Sequence, residues 1–216
     1  MPLRLVRAEM ADIPQLVDLY FNTFKSPLVL RVKPDVPPVR EWYKKSLESD
    51  IEKPHTRIYK VVEGQAESAQ ASDEIIAFAK WSSPHTEPQQ EKPTDWSVDG
   101  DVALFKEVTD KATEKKKKIM GEKEYWYIGV LATLPKHQHR GAGSLLMTEF
   151  CKQADEAGHW SYVEASPLGR PTYQRFAFET RDTFSVVIDG EPYIDSCMVR
   201  EPQIVSINVT KHAGYY

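Results

Sequence analysis

Cysteine is scarce in this chain. Cys151 and Cys197 are the only thiols in 216 residues, too few for the disulfide framework of a small secreted domain. Cys151 falls in an apolar helical stretch, where it reads as a small buried hydrophobe rather than a nucleophile. The expectation is a reduced, cytoplasmic protein. Long apolar runs are missing too: none approaches the roughly 20 residues needed to cross a bilayer, and Met1 to Met10 is interrupted by Arg4, Arg7 and Glu9. The chain is therefore expected to be soluble, with no targeting segment and no membrane partner. Positive charge is not in excess. Lys and Arg number 28 against 32 Asp and Glu, a formal net charge of −4, and neither half is strongly basic. That leaves no electrostatic footprint for nucleic acid.

Several motifs are absent as well. There is no lysine-containing P-loop, and the first glycine of the dinucleotide fingerprint is missing, so a bound anion need be neither a nucleoside triphosphate nor a nicotinamide cofactor. No nucleophile elbow marks a Ser/His/Asp arrangement. His137 and His139 flank Gln138, but the segment is a turn and no Cys or carboxylate cluster completes a site, so no metal is expected.

Hydrophobic content of 41% suffices for one sizeable core. It predicts a single domain over 1–201, with a polar and helical insertion at about 82–123 and a tail or edge strand at 202–216. Leu3 to Ala8 reads as a first strand, and Asp12 to Phe24 as a helix on the spacing of Ile13, Leu16, Leu19, Tyr20 and Phe24. Pro27, Pro34, Pro37 and Pro38 punctuate a loop before a short helix over Val39 to Leu47. Arg57 to Val62 and Ile75 to Trp81 are strand-like, joined by a polar stretch at 63–73 that suggests a long, mobile hairpin connection. Val102 to Met120 is helical and ends in four lysines, Lys115 to Lys118. Mixed with Glu107, Asp110 and Glu114, they read as a solvated face, and no partner is inferred from them. Tyr125 to Leu134 is a buried strand, Ser144 to Ala157 a helix, Ser161 to Ala165 a strand and Pro171 to Arg175 a compact helix. Phe184 to Ile188 and Ser196 to Val199 form a hairpin around Asp189-Gly190. The expected fold is α/β (α+β): a mixed, mostly antiparallel sheet of about seven strands flanked by helices.

Between strand and helix lies Gln138-His139-Arg140-Gly141-Ala142-Gly143. Two glycines one residue apart let the backbone approach an anion closely, and the following helix turns its free N–H groups and positive dipole end toward it. Taken alone, the pair reads equally as a turn that starts a helix with no ligand.

Gln138-x-x-Gly141-x-Gly143, after a strand and opening a helix, resembles the acyl-CoA signature of the GNAT superfamily of N-acyltransferases. A second match follows, where Glu164-Ala165-Ser166-Pro167 and Tyr173-x-x-x-Ala177-Phe178 resemble that superfamily's last motif, a strand and then Tyr-x-x-x-Gly-Phe. The specific resemblance covers Tyr125 to Glu179. It implies acetyl-CoA as cosubstrate, with the backbone of Leu131, Ala132 and Thr133 pairing with the pantetheine arm. The pyrophosphate would sit on the N–H groups of His139, Arg140, Gly141, Ala142, Gly143 and Ser144, with Gln138 opening the motif. Ser166 would stand near the thioester, and Tyr173 would protonate the departing thiolate, since a phenol is an acid at neutral pH.

The amine must also lose a proton, because an ammonium has no lone pair. Some relatives carry a carboxylate eleven residues before the motif's glutamine; here that position is Tyr127, a candidate for proton relay or substrate contact. Glu124 and Glu164 are the nearest carboxylates. Strand parity does not say whether either faces the acceptor, so deprotonation through water is the default. Trp42 and Tyr43 are candidates to line an acceptor pocket closed by the loop Lys25 to Val39 and the insertion. The expected activity is transfer of an acetyl group to the primary amine of a small molecule by direct attack through a tetrahedral intermediate. A protein lysine or N-terminal amine, or a non-catalytic CoA-binding module, are the alternatives, and a homodimer is compatible with the chain.

Overall fold

The structure is a computed structural model and describes residues 2–64, 74–85 and 100–203. The connection expected over 63–73 from residue 65 on, most of the polar stretch before Val102, and the tail or edge strand from 204 onward lie outside the described residues.

Seven strands form one sheet: β1 (Leu3–Arg7), β2 (Thr56–Glu63), β3 (Ile75–Ser82), β4 (Tyr125–Thr133), β5 (Trp160–Ala165), β6 (Glu179–Ile188) and β7 (Glu191–Arg200). Their order is β1-β2-β3-β4-β5-β7-β6. All neighbours are antiparallel except β4 and β5. That parallel pair needs a crossover, supplied by helix α5 (Ala142–Glu156). The mixed, mostly antiparallel sheet of the sequence reading is what forms.

Helix α1 (Ile13–Thr23) and α3 (Pro37–Glu52) cover one face over β2, β3 and β4, burying Leu16, Tyr20, Val39, Tyr43 and Leu47. On the opposite face α5 lays Leu146, Met147, Phe150 and Ala154 against Ile76, Trp81, Trp126, Ile128 and Val163. Gly129 is an extra residue in β4: Val130 pairs with Lys80 and Ile128 with Trp81. This bulge changes the side-chain alternation, so Ile128 meets α5 whereas Val130 meets α1 and α3.

The proline-punctuated loop contains a helix that the sequence reading lacks. Pro27 starts α2 (Pro27–Val32), where the missing N–H is no loss, and Ser26 Oγ accepts a hydrogen bond from the Val29 N–H at 3.3 Å. Pro37 starts α3 in the same way, which is why that helix begins before Val39. Helix α4 (Val102–Met120) packs on β6, and Leu28 and Val32 of α2 meet Leu104, Val186 and Ile188. Arg31 ties the pair together, reaching Asp101 at 3.5 Å and Asp189 at 2.7 Å. No described helix is long and apolar enough to cross a membrane.

The far end of α5 is clasped to β7. Arg200, 4% exposed at its side chain, donates two hydrogen bonds to Asp155, at 2.6 and 2.7 Å, and the Gln203 N–H adds a third at 2.8 Å. Burial alone would raise the Asp155 pKa; the bonds from Arg200 and Gln203 outweigh it and hold the carboxyl below its usual range. The stability this contributes is present above the ordinary carboxylate pKa and is lost as pH falls through the depressed folded value. Asp155→Asn, which leaves a buried guanidinium without its charge partner, is expected to cost about 3–5 kcal/mol in urea denaturation at pH 7. The deficit should shrink as pH is lowered toward 3.

Candidate active site

Pairing between β4 and β5 lasts for three residues, Tyr125↔Trp160, Trp126↔Ser161 and Tyr127↔Tyr162, and then stops. Beyond it the strands part, leaving a wedge in the middle of the sheet. On the β4 side, the Leu134 N–H donates to the Ile76 carbonyl at 2.9 Å. Antiparallel alternation then turns the backbone groups of Leu131 and Thr133 away from β3 and toward the wedge, and those of Ala132 toward Phe78 of β3. Of the three residues expected to pair with a pantetheine arm, two thus present main-chain groups to the gap. The Thr133 carbonyl accepts a hydrogen bond from Gln138 Nε2 at 3.2 Å, so the motif's glutamine ties the loop to the strand end.

The glycine loop bends sharply at the mouth of the wedge. His139 has φ 61° and Gly141, the N-cap of α5, has φ 92°. Having no side chain, Gly141 offers no cap, and the first intrahelical bond runs from Leu145 N–H to the Gly141 carbonyl. The N–H groups of Ala142, Gly143 and Ser144 are therefore left over at the positive end of a 15-residue helix. Arg140 is engaged elsewhere: its guanidinium pairs with Glu63 and reaches His137 Nδ1 at 2.7 Å. His137 is buried beside Glu63 and Glu74, while His139 is exposed. Among the described residues no group of three His, Cys, Asp or Glu stands ready to hold a metal ion.

On the β5 side, the Ser166 carbonyl accepts from the Gly169 and Arg170 N–H groups at 3.0 and 2.9 Å, and its Oγ from Gly169 N–H at 3.1 Å. Ser166 thus builds the turn that launches α6 (Arg170–Gln174) and with it Tyr173. Tyr173 is buried, edge-on to Phe178 with ring centroids 5.7 Å apart. Ala177, which stands where the resembling motif has glycine, adopts the left-handed φ of 61° that glycine would take. The turn survives the methyl group at a cost of about 1–2 kcal/mol.

Burial, and then the negative field of Glu164, push the Tyr173 phenol far above its ordinary pKa, so it carries its proton at neutral pH. Tyr127 is raised for the same two reasons. Glu164 lies two residues past Tyr162, on the same sheet face, and points over the gap beside Tyr127. Burial raises its pKa, against the opposing pull of Lys116 and the Tyr127 hydroxyl. Asp195, on β7, is pushed up to about 7 by burial and then by Glu164. Lys116 of α4 stands 4.6 Å from the Tyr127 ring centroid, and Lys115 pairs with Asp182 at 2.8 Å. Lys118 also reaches Asp182, at 4.0 Å, so three of the four lysines assigned to a solvated face engage the sheet, and one of them, Lys116, borders the site. Glu124 is exposed and paired with His159 at 3.1 Å, away from the wedge. Tyr43 is core, its ring 4.1 Å from that of Tyr20, and Trp42 is partly buried beside it.

The sequence model of the Acetyltransferase (GNAT) family matches residues 36–178. With two thirds of the chain matched, the protein belongs to the GNAT acetyltransferase family, acyltransferases that use acetyl-CoA. No curated protein matches it. Among solved structures, arylalkylamine N-acetyltransferase 2 from Aedes aegypti superposes with TM-score 0.68 at 12% identity, covering 94% of this chain and 100% of its own. A histone acetyltransferase HPA2 and related acetyltransferase from Corynebacterium glutamicum gives 0.60 at 20%, covering 96% and 100%. Arabidopsis thaliana NAA60 in complex with acetyl-CoA gives 0.58 at 13%, covering 93% and 98%. At these identities the likeness is one of fold.

The two glycines differ in what they do for the fold. A Cβ at Gly143 would meet only Thr133 Oγ1 at 3.7 Å, and its φ is not left-handed. Gly141→Ala is expected to lose about 1–2 kcal/mol in urea denaturation because of its positive φ. Gly143→Ala should keep or gain up to about 1 kcal/mol.

Proposed function

We propose that this chain transfers the acetyl group of acetyl-CoA to the primary amine of a small molecule by direct attack, with Tyr173 as general acid. The observation that carries the reading is the open wedge. It puts unpaired β4 backbone, an uncapped helix N-terminus and a protonated, buried phenol around one gap. Leu131 and Thr133 would hold the pantetheine arm as a neighbouring strand does, and the N–H groups of Ala142, Gly143 and Ser144 would seat the pyrophosphate. That glycine is not required at 143 by the fold supports a ligand at that spot. Because Arg140 is paired with Glu63, the pyrophosphate relies on backbone dipoles more than on its guanidinium. Tyr173 would give its proton to the CoA thiolate as the tetrahedral intermediate collapses.

The acceptor class rests on α2 and α4, which meet over the sheet on the side that Glu164 faces and would narrow the approach to it. A small amine passes where a folded protein surface does not, and the Aedes enzyme bears the name of an arylalkylamine acetyltransferase. A protein amine is the second reading, favoured by the histone acetyltransferase among the structural neighbours. One domain over 1–201, with 82–123 as an insertion that reaches the site through α4, and residence in the cytoplasm complete the proposal. The two free, buried thiols are in keeping with the last point.

Calorimetry with acetyl-CoA, followed by thiol release over a panel of primary amines, tests the reading; absence of binding defeats it. Tyr173→Phe should lower turnover by about 100-fold while leaving acetyl-CoA affinity within twofold. Gly143→Asp should do the converse, weakening acetyl-CoA through steric and charge conflict with the pyrophosphate. An unchanged rate for Tyr173→Phe removes the residue from proton transfer.

A further inference from the structure

We propose that Glu164 is the base that takes the proton from the acceptor's ammonium, with Asp195 beside it and Lys116 setting its charge. The inference rests on the acetyltransferase reading and goes beyond it by naming the group that readies the amine. The resembling motif points to Tyr127 for this work, and a neutral phenol does not take a proton from an ammonium at pH 7.

Geometry places Glu164 for the task. It follows the last paired residue of β5 by two, so its side chain lies on the face of Tyr127 and Tyr162 and over the opening between strands. One of its oxygens, Oε1, is fully buried and has no hydrogen-bond partner. Asp195 occupies a diagonal position on the same face of β7, since Glu164 pairs with Cys197. Its Oδ1 is likewise buried and unpartnered. Two carboxylates with an unsatisfied oxygen each, at the gap where a thioester would be presented, are short of N–H donors, and an alkylammonium brings three.

The groups that face Glu164 come from every side. They are Tyr125 and Tyr127 of β4, Tyr162 on its own strand, Asp195 and Cys197 of β7, Tyr173 of α6 and Lys116 of α4. Only Lys116 is cationic. It favours the charged carboxylate against burial, and it stands above the Tyr127 ring, while Oε1 has no hydrogen-bond partner.

The protons balance. The ammonium gives one to Glu164 and becomes a free amine. Its nitrogen attacks the thioester carbonyl carbon, forming the C–N bond. As the C–S bond breaks, Tyr173 protonates the thiolate and recovers a proton from the former amine nitrogen. Glu164 then releases its own to solvent. One ammonium and one acetyl-CoA give one amide, one CoA thiol and one proton.

The test compares wild type with Glu164→Gln and Lys116→Met, following acetyl-CoA affinity, kcat/KM for the best amine of the panel from pH 5 to 9, and melting temperature. Glu164→Gln should lower kcat/KM at pH 7 by at least about 100-fold with acetyl-CoA affinity within twofold. Its rate should rise about tenfold per pH unit with the free-amine fraction. Lys116→Met should move the acid limb of the profile to higher pH. A carboxyl with a raised folded pKa contributes stability below its unfolded pKa and loses it as pH rises through the folded value. Glu164→Gln should therefore melt at or above wild type at pH 8, which shows that a loss of rate does not come from unfolding. A Glu164→Gln rate within threefold of wild type, with the acid limb intact, overturns the proposal and leaves the acetyltransferase reading standing. Loss of acetyl-CoA affinity in step with rate assigns Glu164 to the fold and overturns it as well. Wild type that binds no acetyl-CoA and releases no thiol overturns the acetyltransferase reading, and this proposal with it.

Discussion

Everything that distinguishes this site follows from a failure of two strands to stay together. A parallel pair that runs its full length satisfies every main-chain donor and acceptor along it. Here β4 and β5 share three residue pairs and separate, and the bulge at Gly129 comes just where separation begins. The consequence is an unpaired strand edge in the interior of a sheet. Around that edge the chain assembles what the proposed transfer calls for: free strand backbone that would align a thioester, a helix N-terminus that would hold its phosphates and a protonated phenol that would serve its sulfur. Helix α5 spans the separation from one side, its first turn at the loop and its last turn clasped to β7 through Asp155 and Arg200.

Electrostatically the two sides of the sheet do different work. The α5 side collects positive dipole at a helix end that has no side-chain cap. The opposite side collects buried carboxylates, Glu164 and Asp195, softened by a single lysine from α4. An anionic donor and a cationic acceptor would thus approach from opposite faces and meet at the edge of β4. Helix α4 belongs to this arrangement, because its Lys116 stands over the Tyr127 ring and Asp101 at its N-terminal end is tied to Arg31 of α2.

Much of this was legible in the residues. The strand, glycine loop and helix are legible in the aromatic and β-branched content of Tyr125 to Leu134, in the proline after it and in the apolar spacing of α5; the tyrosine motif places α6 to within a residue. What periodicity did not reveal depends on register. That Glu164 faces the wedge requires knowing that Tyr127 pairs with Tyr162, a fact about two distant segments that neither one encodes. The engagement of Arg140 with Glu63 is of the same kind, since β2 is far away in sequence. Pro27 reads as a loop signal or as the first residue of a helix, and the Ser26 cap decides between them. The run Lys115 to Lys118 looks uniform as a string, yet a helix turns about 100° per residue and sends adjacent lysines to different surroundings.

The order of strands has a bearing on how the molecule comes into being. Strand β7 inserts between β5 and β6, so the last described strand in the chain is not the last in the sheet. While the polypeptide leaves the ribosome, β1 to β4 and the helices that cover them can already form one half of the core. The second half has to wait. Asp195 and Arg200 both lie on β7, so neither the acidic pocket nor the clasp on α5 exists until that strand has been made. A nascent or prematurely terminated chain carries the glycine loop and the tyrosine motif in its sequence, but not the structure that gives them their setting.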